Sequence, residues 1–300
     1  MAYRHIFIER PAKLSLKNSQ LVIESEKSVT VPIEDISTLL IENRQVSVSA
    51  AVLSRLGQDG CAVFICDDKH MPCAVLTPFA EHSRELSVIK SQLEVSEPLK
   101  KRLWQSIVRA KIANQALCLA YNGKTDEAAA LNAMTAKVRS GDSGNTEAAA
   151  AGRYFPALFA PGFTRRSEDV TNAALNYGYA ILRGCISRDL AVYGFLPALG
   201  LHHRSALNNF NLADDLIEPF RPIVDLMVST QEEFRTEAFT PDCKKLLFSV
   251  LALEINSGGQ GHAVAYAIER LVKSLTRSLA EGENRLLLPE LVPLKLHSYE

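Results

Sequence analysis

The spacing of apolar and polar residues changes once along the chain, near residue 77, and that change divides it. Upstream the period is two. In Lys13-Leu14-Ser15-Leu16-Lys17 and Gln20-Leu21-Val22-Ile23-Glu24, alternating segments flank Asn18-Ser19, which predicts two strands and a tight hairpin turn. Further short strands are expected over 29–33, 39–41, 61–66 and 73–76, each partly β-branched and bounded by Asn, Asp, Gly or Pro. One helix interrupts them: it opens near Ser47 or Ser49, carries Val52, Leu53 and Leu56 inward, and stops within Gly57 to Gly60.

From Pro78 the period lies between three and four almost to the end. Helices are expected over 81–94, over 99–121 with Gly123 as the stop, and over 126–138 before Ser140-Gly141. Trp104, the only tryptophan, reads as a core anchor of the second of these. The longest helix is expected over 170–193, capped by Ser167 and closed by Gly194, and two more over 241–254 and 262–280. Ser257-Gly258-Gly259-Gln260-Gly261 lacks the G-K-[ST] ending of a phosphate loop and reads as a linker. The proline-bearing tail is extended, packed on the bundle or on another copy.

The fold class is therefore α+β, with a small N-terminal β-rich, sandwich-like domain followed by a larger all-helical bundle. The expected boundaries are 1–77 for the β domain, 78–97 for a linking helix and 98–300 for the helical domain. A β domain of about 75 residues is marginal alone and leans on a partner surface.

Two segments carry more charge than their helices need. In Asn145-Thr146-Glu147-Ala148-Ala149-Ala150-Ala151-Gly152-Arg153-Tyr154-Phe155, Asn145 or Thr146 can cap and Glu147 suits the first turn. The small residues after it also let another helix approach closely, which would hold Glu147 inside a packed interface. In LGLHHRSALNNFNLADDLIEPFRPIVD, residues 199–225, Asn211 is a good N-cap and Leu212, Leu216 and Phe220 form an apolar stripe. Asp214, Asp215 and Glu218 then crowd one helix surface, as dipole partners or around a cation. Pro219 either breaks that helix or opens the next. Arg165 and Arg166 share a loop, where they grip phosphates or are simply solvated.

Composition narrows the chemistry. With 300 residues, 47 % hydrophobic and 22 % charged, the chain can bury a substantial core. It has no long uncharged apolar run and no secretory h-region, so a soluble, cytoplasmic protein with no membrane partner is expected. Six scattered cysteines give neither a zinc cluster nor a disulfide framework. The formal net charge is −1, and residues 1–76 hold 8 basic against 9 acidic side chains, so polyanion binding must come from local clusters. Nucleophile-elbow, Walker A and H-E-x-x-H motifs are missing. Histidine with carboxylates and no cysteine suits a hard or borderline cation such as Mg²⁺ or Mn²⁺, the usual chemistry of nucleases and integrases.

The order of domains, the opening RHIFIERPAKLSLKNSQLVIE, and the segments VPIEDISTLLIEN, TEAAAAGRYF, NAALNYGYAILRG and LGLHHRSALNNFNLADDLIEPFRPIVD closely resemble the CRISPR-associated integrase and endonuclease family Cas-one (Cas1), nearest its type II branch. The resemblance implies a metal-dependent DNA endonuclease and integrase that inserts new spacers into a CRISPR array. It implies Mg²⁺ or Mn²⁺ held by Glu147, by His203 of the G-[FL]-x-H pattern, and by Glu218 of the D-x-x-[ED] pattern. His202 stands where the family has an apolar residue, so either imidazole can turn inward. The same resemblance implies a homodimer formed through the β domain, a small partner Cas-two, prespacer and repeat DNA, and contact with the type II effector machinery. Arg165, Arg166, His202 and Arg204 are the expected DNA contacts. A stand-alone structure-selective nuclease and a catalytically silent DNA-binding scaffold are the competing readings.

Overall fold

The computed structural model describes residues 4–76, 85–234 and 238–298 of the chain. The first domain comprises β1 (Arg4–Ile8), β2 (Lys13–Lys17), β3 (Gln20–Glu24), β4 (Ser28–Pro32), β5 (Ile36–Ile41), β6 (Ser47–Val48), α1 (Ala50–Gln58), β7 (Ala62–Cys66) and β8 (Pro72–Leu76). They form two four-stranded sheets, ordered β4-β3-β2-β6 and β1-β5-β7-β8. Asn18 and Ser19, both at positive φ, make the predicted hairpin between β2 and β3. Ser49 caps α1 by accepting from the Val52 N–H, and Val52 and Leu56 are buried. Strand β1, not anticipated, pairs in parallel with β5, and β5 in parallel with β7.

The run from Ala62 to Cys66 is nearly all apolar because the second sheet is covered on both faces. Leu39, Ile41 and Val63 face the first sheet and α1, whereas Leu40, Ala62, Phe64 and Cys66 join the core of the helical part. Period-two geometry thus assigns alternate residues of one strand to two different cores. A Cβ on Gly184 would stand 2.0 Å from the Phe64 ring, so glycine there lets the sheet dock on its helix. Lys244 and Glu42, both buried, add an ion pair of 3.1 Å across the same junction. The marginal β domain therefore leans on its own helical domain.

The remainder contains α2 (Glu85–Glu94), α3 (Glu97–Tyr121), α4 (Thr125–Asn132), α5 (Thr146–Leu158), α6 (Val170–Val192), α7 (Asn211–Ile217), α8 (Arg221–Thr230), α9 (Pro241–Phe248), β9 (Glu254–Ser257), β10 (Gln260–Ala263), α10 (Val264–Glu281) and β11 (Pro289–Glu290). Residues 81–84 of the helix expected over 81–94 lie outside the described residues. Helix α3, at 25 residues, is longer than α6, at 23, against expectation. Asp169, rather than Ser167, caps α6 by accepting from the Asn172 N–H at 2.7 Å. Helix α4 stops short of the expected 126–138 because the Thr135 hydroxyl donates to the Asn132 carbonyl and diverts the backbone into 3-10 turns. The Ser257–Gly261 linker is the turn of an unpredicted hairpin, β9-β10, made by Gly258 and Gly259 at positive φ. The tail returns to its own bundle, where β11 pairs with β9.

Helix α3 runs through the centre, packed against α4, α5, α7, α8 and the 3-10 turn at Glu218–Phe220. Everything that positions the site is built on it.

Candidate metal centre

One stripe of α3 carries Trp104, Lys111 and Asn114, which are seven and three residues apart and so fall on the same face of the helix. All three are buried. Each meets a different element of the site.

Lys111 meets the carboxylates. Its ammonium lies 2.6 Å from Glu147 Oε1 on α5 and 2.5 Å from Glu218 Oε2 in the turn after α7. Two acidic groups distant in sequence thus converge on one cation. Arg221 closes the other side of Glu218 at 3.1 Å while its guanidinium lies 4.5 Å over the Tyr179 ring. Burial opposes the charge on Lys111, but Glu218 and Glu147 more than reverse it, so its pKa lies above the ordinary lysine value. For Glu218 burial favours the neutral acid, and Arg221 and Lys111 overcome it to hold the carboxyl at about 2. Both groups are charged at neutral pH.

Glu147 is aimed by the start of its helix. Asp142 accepts from the N–H groups of Thr146, at 2.9 Å, and Glu147, at 3.0 Å, in place of the caps expected from Asn145 or Thr146. Asn145 itself takes a left-handed conformation. Of the small residues behind Glu147 only Ala150 is buried; Ala148, Ala149 and Gly152 are exposed, and a Cβ on Gly152 would meet nothing, so the close helix approach expected there is not made.

Glu218 is aimed by the proline beside it. Helix α7 ends at Ile217, a 3-10 turn spans Glu218–Phe220, and α8 begins at Arg221 with Pro222 in its first turn. Pro219 therefore marks a junction between helices, which settles the alternatives left open by the sequence. The Pro219 carbonyl accepts from Asn114 Nδ2 at 2.7 Å, which ties the turn to α3.

His203 is held by Asp215. Asp215, wholly buried, accepts from the backbone N–H groups of Leu201 (2.6 Å), His202 (3.0 Å) and His203 (3.1 Å). It also meets His203 Nδ1 at 2.7 Å. A carboxylate can only accept, so Nδ1 carries a proton, and Nε2 is the nitrogen left for another partner. The Asp215 hydrogen bond outweighs burial and raises the His203 pKa above the ordinary imidazole value. Gly200 is required in this loop because a Cβ there would meet the His203 carbonyl at 2.4 Å and Asp215 Oδ2 at 2.8 Å.

The neighbouring side chains depart from expectation. Trp104 is more than a core anchor: its ring stacks on His202 at 4.2 Å, nearly parallel, and meets His203 edge-on at 5.7 Å. Asp214, in the first turn of α7 where a dipole partner was expected, also pairs with Arg183 at 2.9 Å and accepts from Asn208 at 2.7 Å. Arg165 is folded onto Asn172 and Asn176 and over the Phe155 and Tyr179 rings, whereas Arg166 is exposed. Arg204 reaches Glu97 at 3.0 Å on the surface.

The donors suit a hard cation. Glu147 and Glu218 already share one positive charge, the Lys111 ammonium. A carboxylate pair and an imidazole nitrogen are the chemistry that Mg²⁺ or Mn²⁺ accepts. Among the described residues, no three His, Cys, Asp or Glu side chains stand together at metal-holding spacing. The structure brings Glu147 and Glu218 together on Lys111, and places His203 near enough for Glu218 to raise its pKa. Sequence reasoning missed Lys111, Arg221, Asn114 and Asp142. The available signal was a lysine and an asparagine on the buried stripe of a long helix.

Known proteins share both the sequence pattern and the fold of this chain. The family model described as CRISPR associated protein Cas1 matches residues 6–250. The chain is 45 % identical over 304 residues, spanning all of both chains, to the CRISPR-associated endonuclease Cas1 of Neisseria meningitidis serogroup C (strain 8013). Among solved structures it resembles a casposase bound to integration product, with a TM-score of 0.73 and 18 % identity over 95 % of this chain and 92 % of that one. A Cas1 protein from Thermotoga maritima gives a TM-score of 0.71 and 17 % identity over 94 % and 98 % of the two chains.

Proposed function

The chain belongs to the CRISPR-associated Cas1 family, and on that premise we propose that it is a metal-dependent integrase of CRISPR adaptation, with Glu147, His203 and Glu218 as its metal ligands. The observation that carries the reading is the convergence of Glu147 and Glu218 on a single cation beside an imidazole whose free nitrogen is fixed by Asp215.

Glu147, Glu218 and His203 Nε2 would hold Mg²⁺ or Mn²⁺, which when bound polarises a phosphodiester and offsets the charge that builds on its oxygens. The chain's own groups do the rest. Asp215 holds a proton on His203 Nδ1, which leaves Nε2 as the nitrogen for the ion once Nε2 has released its own proton. Lys111 and Arg221 supply fixed positive charge that needs no rearrangement as negative charge develops. In the reaction the oxygen of a DNA 3′-hydroxyl bonds to phosphorus in the CRISPR repeat, the existing P–O3′ bond breaks, and the released 3′-oxygen takes up a proton. One phosphodiester replaces another, so neither an energy source nor a covalent protein intermediate is needed. Water in place of the 3′-hydroxyl gives simple cleavage.

The N-terminal domain, residues 1–77, is proposed as the dimerisation surface. Edge strand β4 supports this, with Val29 53 % exposed beside a row of open backbone groups. The proposed link to the catalytic domain, 98–300, is the segment 78–97, of which the described part carries α2 (Glu85–Glu94). A small Cas2 partner, prespacer and repeat DNA, and the type II effector machinery complete the proposed assembly. Among the described residues no helix is long and apolar enough to cross a membrane.

The test is joining of a short duplex to supercoiled plasmid by the purified protein, its Cas2 partner and Mg²⁺ or Mn²⁺. Glu147→Ala, His203→Ala and Glu218→Ala should each abolish joining. Joining retained in all three would overturn the ligand assignment.

A further inference from the structure

We propose that Lys111 balances the charge of the Glu147–Glu218 pair when no divalent ion is bound, and so makes binding of the ion depend on the arrival of a DNA phosphate. This rests on the metal-site reading above and adds a coupling that the ligand set alone does not imply.

The argument begins with a charge count. Glu147 and Glu218 contribute two negative charges, and Lys111 and Arg221, both in ion-pair contact with Glu218, contribute two positive ones. The group is neutral as it stands. A divalent ion that needs the same two carboxylates brings two further positive charges next to an ammonium and a guanidinium. Repulsion at that range is strong where water is largely excluded. An acidic cluster without Lys111 would invite the ion; this one is already satisfied.

Two events could relieve the repulsion. The ammonium could withdraw, but Lys111 is 8 % exposed on the buried stripe of α3, between Val108 and Ile112, which are fully buried. Alternatively, anions could enter with the ion. Phosphodiesters do so, one negative charge each, and an oxygen shared with the ion would also face Lys111. Ion and DNA are then each poor ligands alone and good ligands together. Coupling of this kind is reciprocal, so the ion must strengthen DNA binding by the same factor.

The experiment measures Mn²⁺ affinity of the full-length protein from the electron paramagnetic resonance signal of free Mn²⁺, with and without a short duplex bearing 3′-hydroxyl ends. The Glu147→Gln/Glu218→Gln double variant in each series subtracts Mn²⁺ held by the DNA itself. Wild type should bind Mn²⁺ at least about tenfold more tightly with DNA than without it. Lys111→Met, which keeps the stem and removes the charge, should bind Mn²⁺ at least about tenfold more tightly than wild type in the absence of DNA, and the gain from DNA should shrink to less than about threefold. Lys111→Arg should restore the wild-type pattern, which a purely structural role for the side chain would not require. Unchanged or weaker Mn²⁺ affinity in Lys111→Met would overturn the proposal while leaving the ligand assignment intact. Should that variant fail to fold, equal wild-type affinity with and without DNA overturns it instead. Binding no greater than in the double variant, in every form, overturns the ligand assignment and this proposal with it.

Discussion

Asp215 holds His203 twice, by the backbone N–H at 3.1 Å and by imidazole Nδ1 at 2.7 Å. Two further backbone N–H groups of the same loop point at the same carboxylate. Asp215→Asn keeps the shape but turns an NH₂ group towards some of those donors. The loop should loosen and the imidazole lose its fixed tautomer. The expected result is a 10- to 100-fold fall in joining, typical of removing an orienting partner, with a lowered melting temperature. Wild-type joining rates in this variant would show that the loop is held by other means.

The two glutamates should differ in what they do for stability. Removing Glu218 leaves Lys111 and Arg221 facing each other in a buried place, and breaking such a group costs about 3–5 kcal/mol. Glu147 is the more exposed partner, with a side chain 25 % accessible, and its loss leaves Lys111 still paired with Glu218. Glu147→Ala should therefore cost less than about 2 kcal/mol. Urea denaturation of both variants checks the order; equal losses would contradict it. Activity should be lost in both, so stability separates roles that kinetics cannot.

Much of the architecture was legible in the sequence because period carries it. The β2–β3 hairpin needed only local alternation and Asn18-Ser19, and α1, α3 and α6 needed only helical spacing and stops. Strands β1 and β11 were not legible, since each gains its meaning from a distant partner, and the local hairpin β9-β10 was missed because its glycine turn was read as a linker. The site was half legible. Glu147, His203 and Glu218 came from the resemblance, since nothing local distinguishes Glu147 from an ordinary first-turn acid. Lys111 and Asn114 were hidden because a periodicity argument treats a polar residue as outward-facing, and only the fold turns this stripe inward. Trp104 was read correctly as buried, but its stacking on His202 depends on a loop almost a hundred residues later.

Asp225 gives a pH dependence to stability. It is buried in the core, accepting hydrogen bonds from Tyr154 at 2.9 Å and from Tyr179. Burial raises its pKa from 3.8 to about 6, against the pull of those two hydroxyls. A folded-state pKa above the unfolded one means that the native protein favours the proton. Its contribution is full below about pH 4 and is lost as pH rises through about 6. Asp225→Asn removes the titration, so its stability relative to wild type should improve between pH 5 and pH 8 by on the order of 1 kcal/mol. Urea unfolding at the two values measures this. A relative stability that worsens over the interval would reverse the sign and refute the assignment.

Trp104 supplies an internal reporter of the proposed metal. It is the only tryptophan of the chain, and its ring lies 5.7 Å from that of His203, so an ion held by His203 would lie in the neighbourhood of the indole. Paramagnetic Mn²⁺ quenches a fluorophore at that range, whereas diamagnetic Mg²⁺ does not. Titration with Mn²⁺ in the presence of a short duplex should therefore lower the emission, an excess of Mg²⁺ should restore it by competition, and His203→Ala should blunt the response while leaving the fold unchanged. The stacked His202 provides the control. It lies 4.2 Å from the indole on its other contact, so if His202 were the ligand, His202→Ala would abolish the quench and His203→Ala would spare it. The Asp215 clamp predicts the opposite, because only His203 is oriented by a carboxylate while His202 is exposed and fixed by stacking alone.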